Sequence, residues 1–310
     1  MTNLVQSRYV EGAFHLYDLA RHRVGTPLAP TLTVTPPQPI DKLHGHATHP
    51  ALHGLAYATE AEVVRLDADG TVRWRLELGR PNGNHGGAYT SCAFETDGER
   101  LWVYVPDAMT HRSRTDRIMV VDAGGVVLAQ AAVPSAGHGA GLEPHPGGEM
   151  IIDIGEGQDG VVLLRCRLDA DRLEVHEFPW RDRCLIGMAP DGATFMTVDH
   201  GLQENVSFHT YPDSVELFRL TPADFGERRE EAVVEWTGGY LDDRTAVVVL
   251  YGEDEDTGDE WFEHHLVDVS AREVLGRWQV EVDDLYDVDL VGDGTWLQPD
   301  GRGGIRRYAR

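Results

Sequence analysis

A short turn recurs along this chain at nearly constant spacing, and this spacing constrains the fold more than any other feature. The copies begin, in order, at His49, Asp97, His145, Asp191, Asp242 and Asp293. The intervals between them are 48, 48, 46, 51 and 51 residues. Asp and Gly, frequent in these copies, suit tight turns because they tolerate left-handed backbone angles and bond back to the chain. The chain is therefore expected to consist of repeated structural units.

The segments between these turns predict strands. Short runs rich in Val, Leu, Ile, Thr and Tyr recur, as in residues 100–105, 117–121 and 245–251, and long helical periodicity is absent. A second marker is a hairpin opened by an apolar residue and an Asp, and its copies fall at Asp18, Asp67, Asp122, Asp169 and Asp268. A period near 48 residues with four short strands predicts an all-β propeller of four-stranded blades.

The number of blades follows from how the two ends of the chain combine. The first marker occurs six times, and the second also reaches six when the copy at Asp18 and a variant at residues 221–224 are included. The two termini together leave room for one blade with some surplus. Six blades are therefore favoured over seven, in a single domain spanning residues 1–310. Its ring would be closed by strands from both termini, with the hairpin at residues 12–28 completing the last blade beside residues 285–310.

Two hairpins carry a resemblance to known propellers. Residues 12–28 resemble the outer hairpin of a WD-repeat blade, and residues 66–79 are similar to quinoprotein-type repeats. The resemblance implies that the first strand of each blade lines a central channel. It also implies that the loops joining the last strand to the next blade, and the second strand to the third, open on one face where ligands usually bind. Because propellers host many unrelated functions, it does not name an activity.

The histidines supply the candidate site. Mapped onto that face, His46, His85 and His138 come from three consecutive blades and could bind a divalent transition metal over the channel. Three imidazoles with an open position form a catalytic geometry. His200 is a possible fourth ligand or general base, with Glu204 close to it in sequence.

A structural interpretation of the same histidines competes with the metal site. WD-repeat families carry a Gly-His at this position, whose imidazole bonds within the blade, and Gly45–His46 and Gly137–His138 match it. The match departs from the family elsewhere. Leu66, Val121 and Leu168 precede the hairpin Asp where the family has Trp, so the full family network is not expected.

Charge and composition limit the partners. With a formal net charge of −25, the chain is expected to repel nucleic acid and anionic lipid. No apolar run is long enough for a membrane helix, and the N-terminus lacks the pattern of a signal peptide. Three scattered cysteines favour a reducing cytoplasm, and a closed ring without free sheet edges favours a monomer. Five tryptophans in strand-like segments are expected to pack between blades: Trp74, Trp102, Trp236, Trp278 and Trp296.

Two functions remain open from the sequence. The main hypothesis is a small-molecule enzyme or ligand-binding propeller with a metal-dependent, His-rich site, of the hydrolase, lyase or oxidoreductase class. The alternative is a WD-like protein-interaction scaffold with structural histidines, in which the acidic C-terminal half recognises a basic partner.

Overall fold

Short antiparallel strands joined by tight turns run through the whole of the computed structural model. It describes residues 4–82, 87–227, 231–254, 257–301 and 304–310. Within these residues the strands form seven sheets, each a blade built from strands that pair in chain order. The predicted all-β propeller is confirmed, and the predicted number of six blades is wrong. None of the helices described has the length and apolar character needed to cross a membrane.

Residues divide into two compact units by their contacts. The N-terminal unit, residues 4–21 and 29–181, holds four blades and two short 3-10 helices, Leu19–Arg21 and Gly157–Asp159. Its strands are as follows: blade 1, β1 (Val5–Val10), β2 (Ala13–Asp18), β3 (Leu32–Val34); blade 2, β4 (Gly45–Thr48), β5 (Gly54–Ala58), β6 (Glu62–Asp67), β7 (Val72–Glu77); blade 3, β8 (Ser91–Phe94), β9 (Arg100–Val105), β10 (Asp116–Asp122), β11 (Val127–Val133); blade 4, β12 (Gly139–Pro144), β13 (Met150–Gly155), β14 (Val161–Asp169), β15 (Arg172–Glu177).

The C-terminal unit, residues 22–28 and 182–310, holds three blades and the 3-10 helix Pro222–Phe225. Its strands are as follows: blade 5, β16 (Arg183–Met188), β17 (Thr194–Asp199), β18 (Val206–Thr210), β19 (Glu216–Leu220); blade 6, β20 (Val233–Tyr240), β21 (Thr245–Glu253), β22 (Glu260–Asp268), β23 (Glu273–Arg277); blade 7, β24 (Asp289–Leu290), β25 (Thr295–Pro299), β26 (Ile305–Ala309).

The core of each unit lies between neighbouring blades. In the N-terminal unit, Trp102 and Tyr104 of β9 are fully buried with Ile152 and Ile154 of β13, in one cluster that spans blades 3 and 4. The first strands of successive blades also contact one another, β4 with β8 and β8 with β12. Burying a large apolar side chain stabilises the folded state by about 1.5–3 kcal/mol. Each blade therefore depends on the next one for its stability.

The turn markers identified in the sequence lie where they were expected. Each of the six turns joins the first and second strands of a blade, from His49 in blade 2 to Asp293 in blade 7. Side chains stabilise them locally: the Asp97 carboxylate accepts a hydrogen bond from the backbone N–H of Glu99, 2.9 Å away, and Gly98 has a φ of 78°. The repeat could therefore be recognised in the sequence, because the residues within each turn stabilise its conformation.

The count of six blades failed at the N-terminus. Asp18 ends β2 as Asp67 ends β6 and Asp122 ends β10, but the strands around it form a blade of their own, blade 1. The hairpin at residues 12–28 does not complete the last blade as predicted, because β2 pairs with β1 and β3. Only residues 25–28 follow β26, where the Leu28 N–H donates to the Ile305 carbonyl at 2.8 Å. The interpretation of residues 1–310 as a single domain stays a prediction.

A buried aspartate organises the loops of blade 3. Asp116 is fully buried, and its Oδ2 accepts hydrogen bonds from the Tyr104 hydroxyl at 2.7 Å, the Ser135 hydroxyl at 2.5 Å and the Gly137 N–H at 2.8 Å. Its Oδ1 accepts one from the Ala108 N–H at 3.0 Å. One carboxylate thus joins the second strand, the loop after it and the connection to blade 4. Burial and the adjacent carboxylate raise the pKa of Tyr104, so its hydroxyl keeps its proton and remains a donor.

We expect Asp116→Asn to lower the free energy of unfolding by about 2–3 kcal/mol. The amide keeps one acceptor oxygen but points an NH2 group at buried donors that lose their partner. Urea unfolding followed by fluorescence measures the change. Asp97→Asn is the matched control, because Asn serves such a turn equally well and should leave stability within about 0.5 kcal/mol. Equal stabilities of the two variants would contradict the role given to Asp116.

Candidate functional site

Three histidines of the N-terminal unit form hydrogen bonds with neighbouring blades. The Nε2–H of His46 donates to the Ser7 carbonyl of blade 1 at 3.4 Å, and the His46 ring lies 5.3 Å from that of Phe14. The Nδ1–H of His138 donates to the Gly87 carbonyl at 3.0 Å. The Nδ1 of His44 accepts a bond from the Thr90 N–H at 3.2 Å. These side chains thus connect blades that follow one another in the chain.

These contacts bear on the predicted metal ligands. One ring nitrogen each of His46 and His138 is a donor to a carbonyl, which leaves only the other nitrogen for a metal. Burial lowers the pKa of His46, so its ring is neutral near pH 7. His85, the third predicted ligand, lies outside the described residues. Among the residues the structure does describe, no three His, Cys, Asp or Glu side chains are grouped so that they could hold a metal ion.

His200 and Glu204, predicted as catalytic residues, lie in the loop between β17 and β18 of the C-terminal unit. Asp199 shapes this loop: its Oδ1 accepts hydrogen bonds from the N–H groups of Gly201 and Leu202 at 2.8 and 2.9 Å. The His200 ring stacks on Trp236 with centroids 5.6 Å apart and 16° between the planes. Glu204 is exposed, and no described contact joins it to His200. Their assignment as catalytic residues stays a prediction.

A bulge in β20 lies next to this loop and determines the direction of the side chains there. Val234 pairs with Leu250 and Gly238 with Val248, so three residues of β20 lie opposite Val249 alone. The strand resumes through Gly238, whose φ of 127° favours glycine, and a Cβ there would lie 2.4 Å from the Val247 carbonyl oxygen. Bulges redirect side chains and occur often beside functional sites.

The bulged residues include Glu235 and Trp236, whose side chains differ in their exposure to solvent. Glu235 is 8% exposed, whereas Trp236 is 43% exposed. The Glu235 Oε1 accepts hydrogen bonds from the Trp236 N–H at 2.9 Å and from the Tyr286 hydroxyl at 3.1 Å. The Trp236 indole N–H donates to the Asp199 carbonyl at 3.2 Å. The large apolar ring is therefore held at the surface by several bonds around it.

Two further exposed apolar side chains lie in segments that contact this carboxylate: that of Tyr286, and that of Leu202, which precedes Gln203. Tyr286 is 60% exposed and Leu202 is 69% exposed. Asp284 orders the segment of Tyr286 by accepting its backbone N–H at 2.9 Å. Burial and the Glu235 charge raise the pKa of Tyr286, so its hydroxyl stays protonated and donates. We call the four side chains of His200, Leu202, Trp236 and Tyr286 the aromatic patch.

No pattern in the sequence predicted this patch. Trp236 was expected to pack between blades, as Trp102 does, but the bulge turns it toward solvent. The available signal was the Gly238–Gly239 pair directly after the Trp-bearing strand segment, since adjacent glycines in a strand indicate a bulge. Tyr286 lies in a segment rich in Asp, where no periodic pattern identified it.

A cavity of about 600 Å³ in the N-terminal unit is a second candidate. Three arginines line it, Arg80, Arg112 and Arg117. The Arg112 and Arg117 guanidinium groups contact Asp107 at 3.3 and 3.0 Å, and the Arg112 Nε–H donates to the Gly79 carbonyl at 3.1 Å. Asp107 thus neutralises much of the positive charge that lines the cavity. The same contacts join the loop after β9 to blade 2.

His209 belongs to a buried polar network in blade 5, not to an exposed loop. It is 1% exposed, its ring stacks on Phe195 and its Nε2 lies 3.0 Å from the Thr197 hydroxyl. The Arg183 Nε–H donates to the same hydroxyl at 2.6 Å, so Thr197 connects the imidazole to the guanidinium group. Burial, together with the Arg183 charge, lowers the pKa of His209 to about 4.

This pKa predicts acid sensitivity. An unfolded His titrates near 6.5, so the unfolded state binds the proton first and stability, fully present above that pH, falls as the pH drops from 6.5 through 4. His209 alone should account for about 3 kcal/mol of this loss. In His209→Gln, urea unfolding between pH 7 and pH 4 should show a smaller loss by that amount. His176→Gln, at an exposed position, is the control and should parallel the wild type; a His209→Gln profile like the control's would refute the assignment.

The comparisons with known proteins concern the fold. No protein-family model and no curated protein matches the sequence. Among solved structures, the chain is similar to the β-propeller domain of Cps50 (Swd1) from Myceliophteria thermophila, with a TM-score of 0.51 and 15% sequence identity. The similarity covers 83% of this chain and 80% of that one. At this identity the likeness shows the fold alone.

These findings correct the main functional hypothesis. A metal-dependent site is not supported, since no three side chains that could bind a metal ion are grouped among the described residues. With seven blades of antiparallel strands and this structural neighbour, the chain is a β-propeller.

Proposed function

We propose that this protein is an interaction scaffold that binds a segment of a partner protein on the aromatic patch. The observation that carries the proposal is an exposed Trp236 held in place by hydrogen bonds. Trp and Tyr dominate the energetic centres of protein interfaces because they bury much apolar area with little loss of conformational entropy. Two such rings and an exposed leucine in one region of a unit form a suitable anchor.

The supports of the patch make it pre-organised. Gln203 joins the β17–β18 loop to β20, because the Val234 N–H donates to its carbonyl at 2.8 Å and its side-chain amide donates to the Val234 carbonyl at 3.3 Å. His200 covers part of the Trp236 ring. A surface held in this way loses little entropy when a partner binds, which strengthens binding without further contacts.

Panning of a random 12-residue peptide library displayed on phage tests the proposal. The immobilised wild-type protein should enrich a set of peptides, and the double variant Trp236→Ala/Tyr286→Ala should recover them at least about tenfold less well. Truncation of aromatic anchors at an interface commonly costs about 2 kcal/mol or more. Circular dichroism and thermal unfolding confirm that the variant is folded.

The control variant Val215→Ala/Leu275→Ala removes two other exposed apolar side chains of the C-terminal unit, 59% and 49% exposed. It should recover the peptides as the wild type does. Absence of enrichment on the wild type, or equal recovery by the patch variant, would refute the proposed function.

A further inference from the structure

Glu235, next to Trp236 of the aromatic patch, is a buried carboxylate that contacts no cationic side chain among the described residues. Its Oε1 accepts two hydrogen bonds, whereas its Oε2 has one weak donor, the Gln203 amide at 3.4 Å. No ion pair in the described part of the chain includes it. Asp107 is similarly buried but lies between two arginines. A buried charge that lacks an opposite charge is destabilising, so such groups usually have a partner.

The surroundings make the region attractive to positive charge. Residues 182–310 contain 29 Asp and Glu against 11 Arg, with no Lys. Tyr286 follows Asp283 and Asp284 and precedes Asp287. Burial and the Glu235 charge raise the pKa of Tyr286, and a hydrogen bond to Glu260, together with the nearby acidic charges, raises the pKa of Tyr251. A field of one sign steers oppositely charged partners toward the surface.

The arrangement of Trp236 and Glu235 matches one side chain in particular. Indole is the best of the aromatic faces for a cation, and a guanidinium group is planar, stacks on aromatic rings and donates to carboxylates. Trp236 follows Glu235 directly, and its own backbone N–H bonds the Glu235 carboxylate. The indole on which a guanidinium group could stack and a carboxylate that forms no ion pair with a described residue are thus adjacent.

We propose that Glu235 and Trp236 recognise an arginine side chain in a basic segment of the partner, with the guanidinium against the exposed indole and its charge facing the carboxylate. This inference rests on the proposed function and adds the chemistry of the partner. Leu202 and Tyr286 then contact the apolar residues beside that arginine. An acidic or phosphorylated segment would meet repulsion on the same surface.

Nuclear magnetic resonance of the indole N–H groups tests this directly on the full chain. The signal of Trp236 is identified by its loss in Trp236→Phe. The probe is the acetylated and amidated pentapeptide Ala-Leu-Arg-Leu-Ala, and its neutral counterpart carries citrulline in place of arginine. The arginine peptide should shift the Trp236 signal with a Kd on the order of 1–10 mM, and the citrulline peptide should bind at least about tenfold more weakly.

Glu235→Gln should reduce binding of the arginine peptide to the level of the citrulline peptide, while the free Trp236 signal keeps its position if the patch is intact. Asp213→Asn, at an exposed acidic residue in the β18–β19 turn, is the matched control and should bind as the wild type does. Raising the salt concentration should weaken arginine binding more in the wild type than in Glu235→Gln, which keeps only the surrounding acidic charge. This salt comparison keeps the test informative if the substitution also shifts the free signal.

Equal binding of the two peptides, no shift at about 20 mM peptide, or unchanged binding by Glu235→Gln would overturn the inference. The two proposals fail separately. If the displayed peptides depend on Trp236 and Tyr286 but show no arginine preference, the arginine site is wrong and the scaffold stands. If no displayed peptide depends on the patch, the proposed function itself falls.

Discussion

The burial of each blade's faces against its neighbours is the interaction on which the rest of this structure depends. A sheet of three or four short strands satisfies its backbone hydrogen bonds internally but cannot bury both faces alone. The cluster that joins β9 and β10 to β13 and β14 shows the solution, with Trp102 and Ile152 fully buried between two blades. Because the apolar contacts lie between blades, the connecting loops are free to carry other chemistry.

Polar side chains stabilise the places where apolar packing ends. Asp116 accepts hydrogen bonds from four donors in one strand and two loops, and His46 and His138 donate to carbonyls of the segments beside them. Gly137, next to His138, has no room for a side chain, since a Cβ there would lie 2.4 Å from the Tyr104 hydroxyl oxygen. These histidines thus join neighbouring segments of the fold, because a neutral imidazole can donate and accept hydrogen bonds in a confined space.

One surface of the C-terminal unit differs in how its buried charge and its aromatic side chain are accommodated. Elsewhere in the described chain, Asp107 lies between two arginines, and the fully buried Asp116 accepts hydrogen bonds at both of its oxygens. At the bulge of β20, Trp236 is exposed, and the buried Glu235 forms no ion pair with any described residue. Sequences agree with their folds at most positions, and local exceptions such as an exposed Trp beside a strained strand tend to occur at functional sites. The interaction surface is inferred from such an exception.

The sequence by itself determined the all-β class and the six turns from His49 to Asp293, because turn conformations depend on the residues within them. It did not determine the blade number, because the local pattern around Asp18 does not show that β2 pairs with β1 and β3 in a blade of its own. The exposure of Trp236, the isolation of Glu235 and the partners of the histidines were likewise decided only by tertiary structure. Each depends on groups brought from other loops or blades, such as Tyr286 for Glu235, and no pattern within one segment records them.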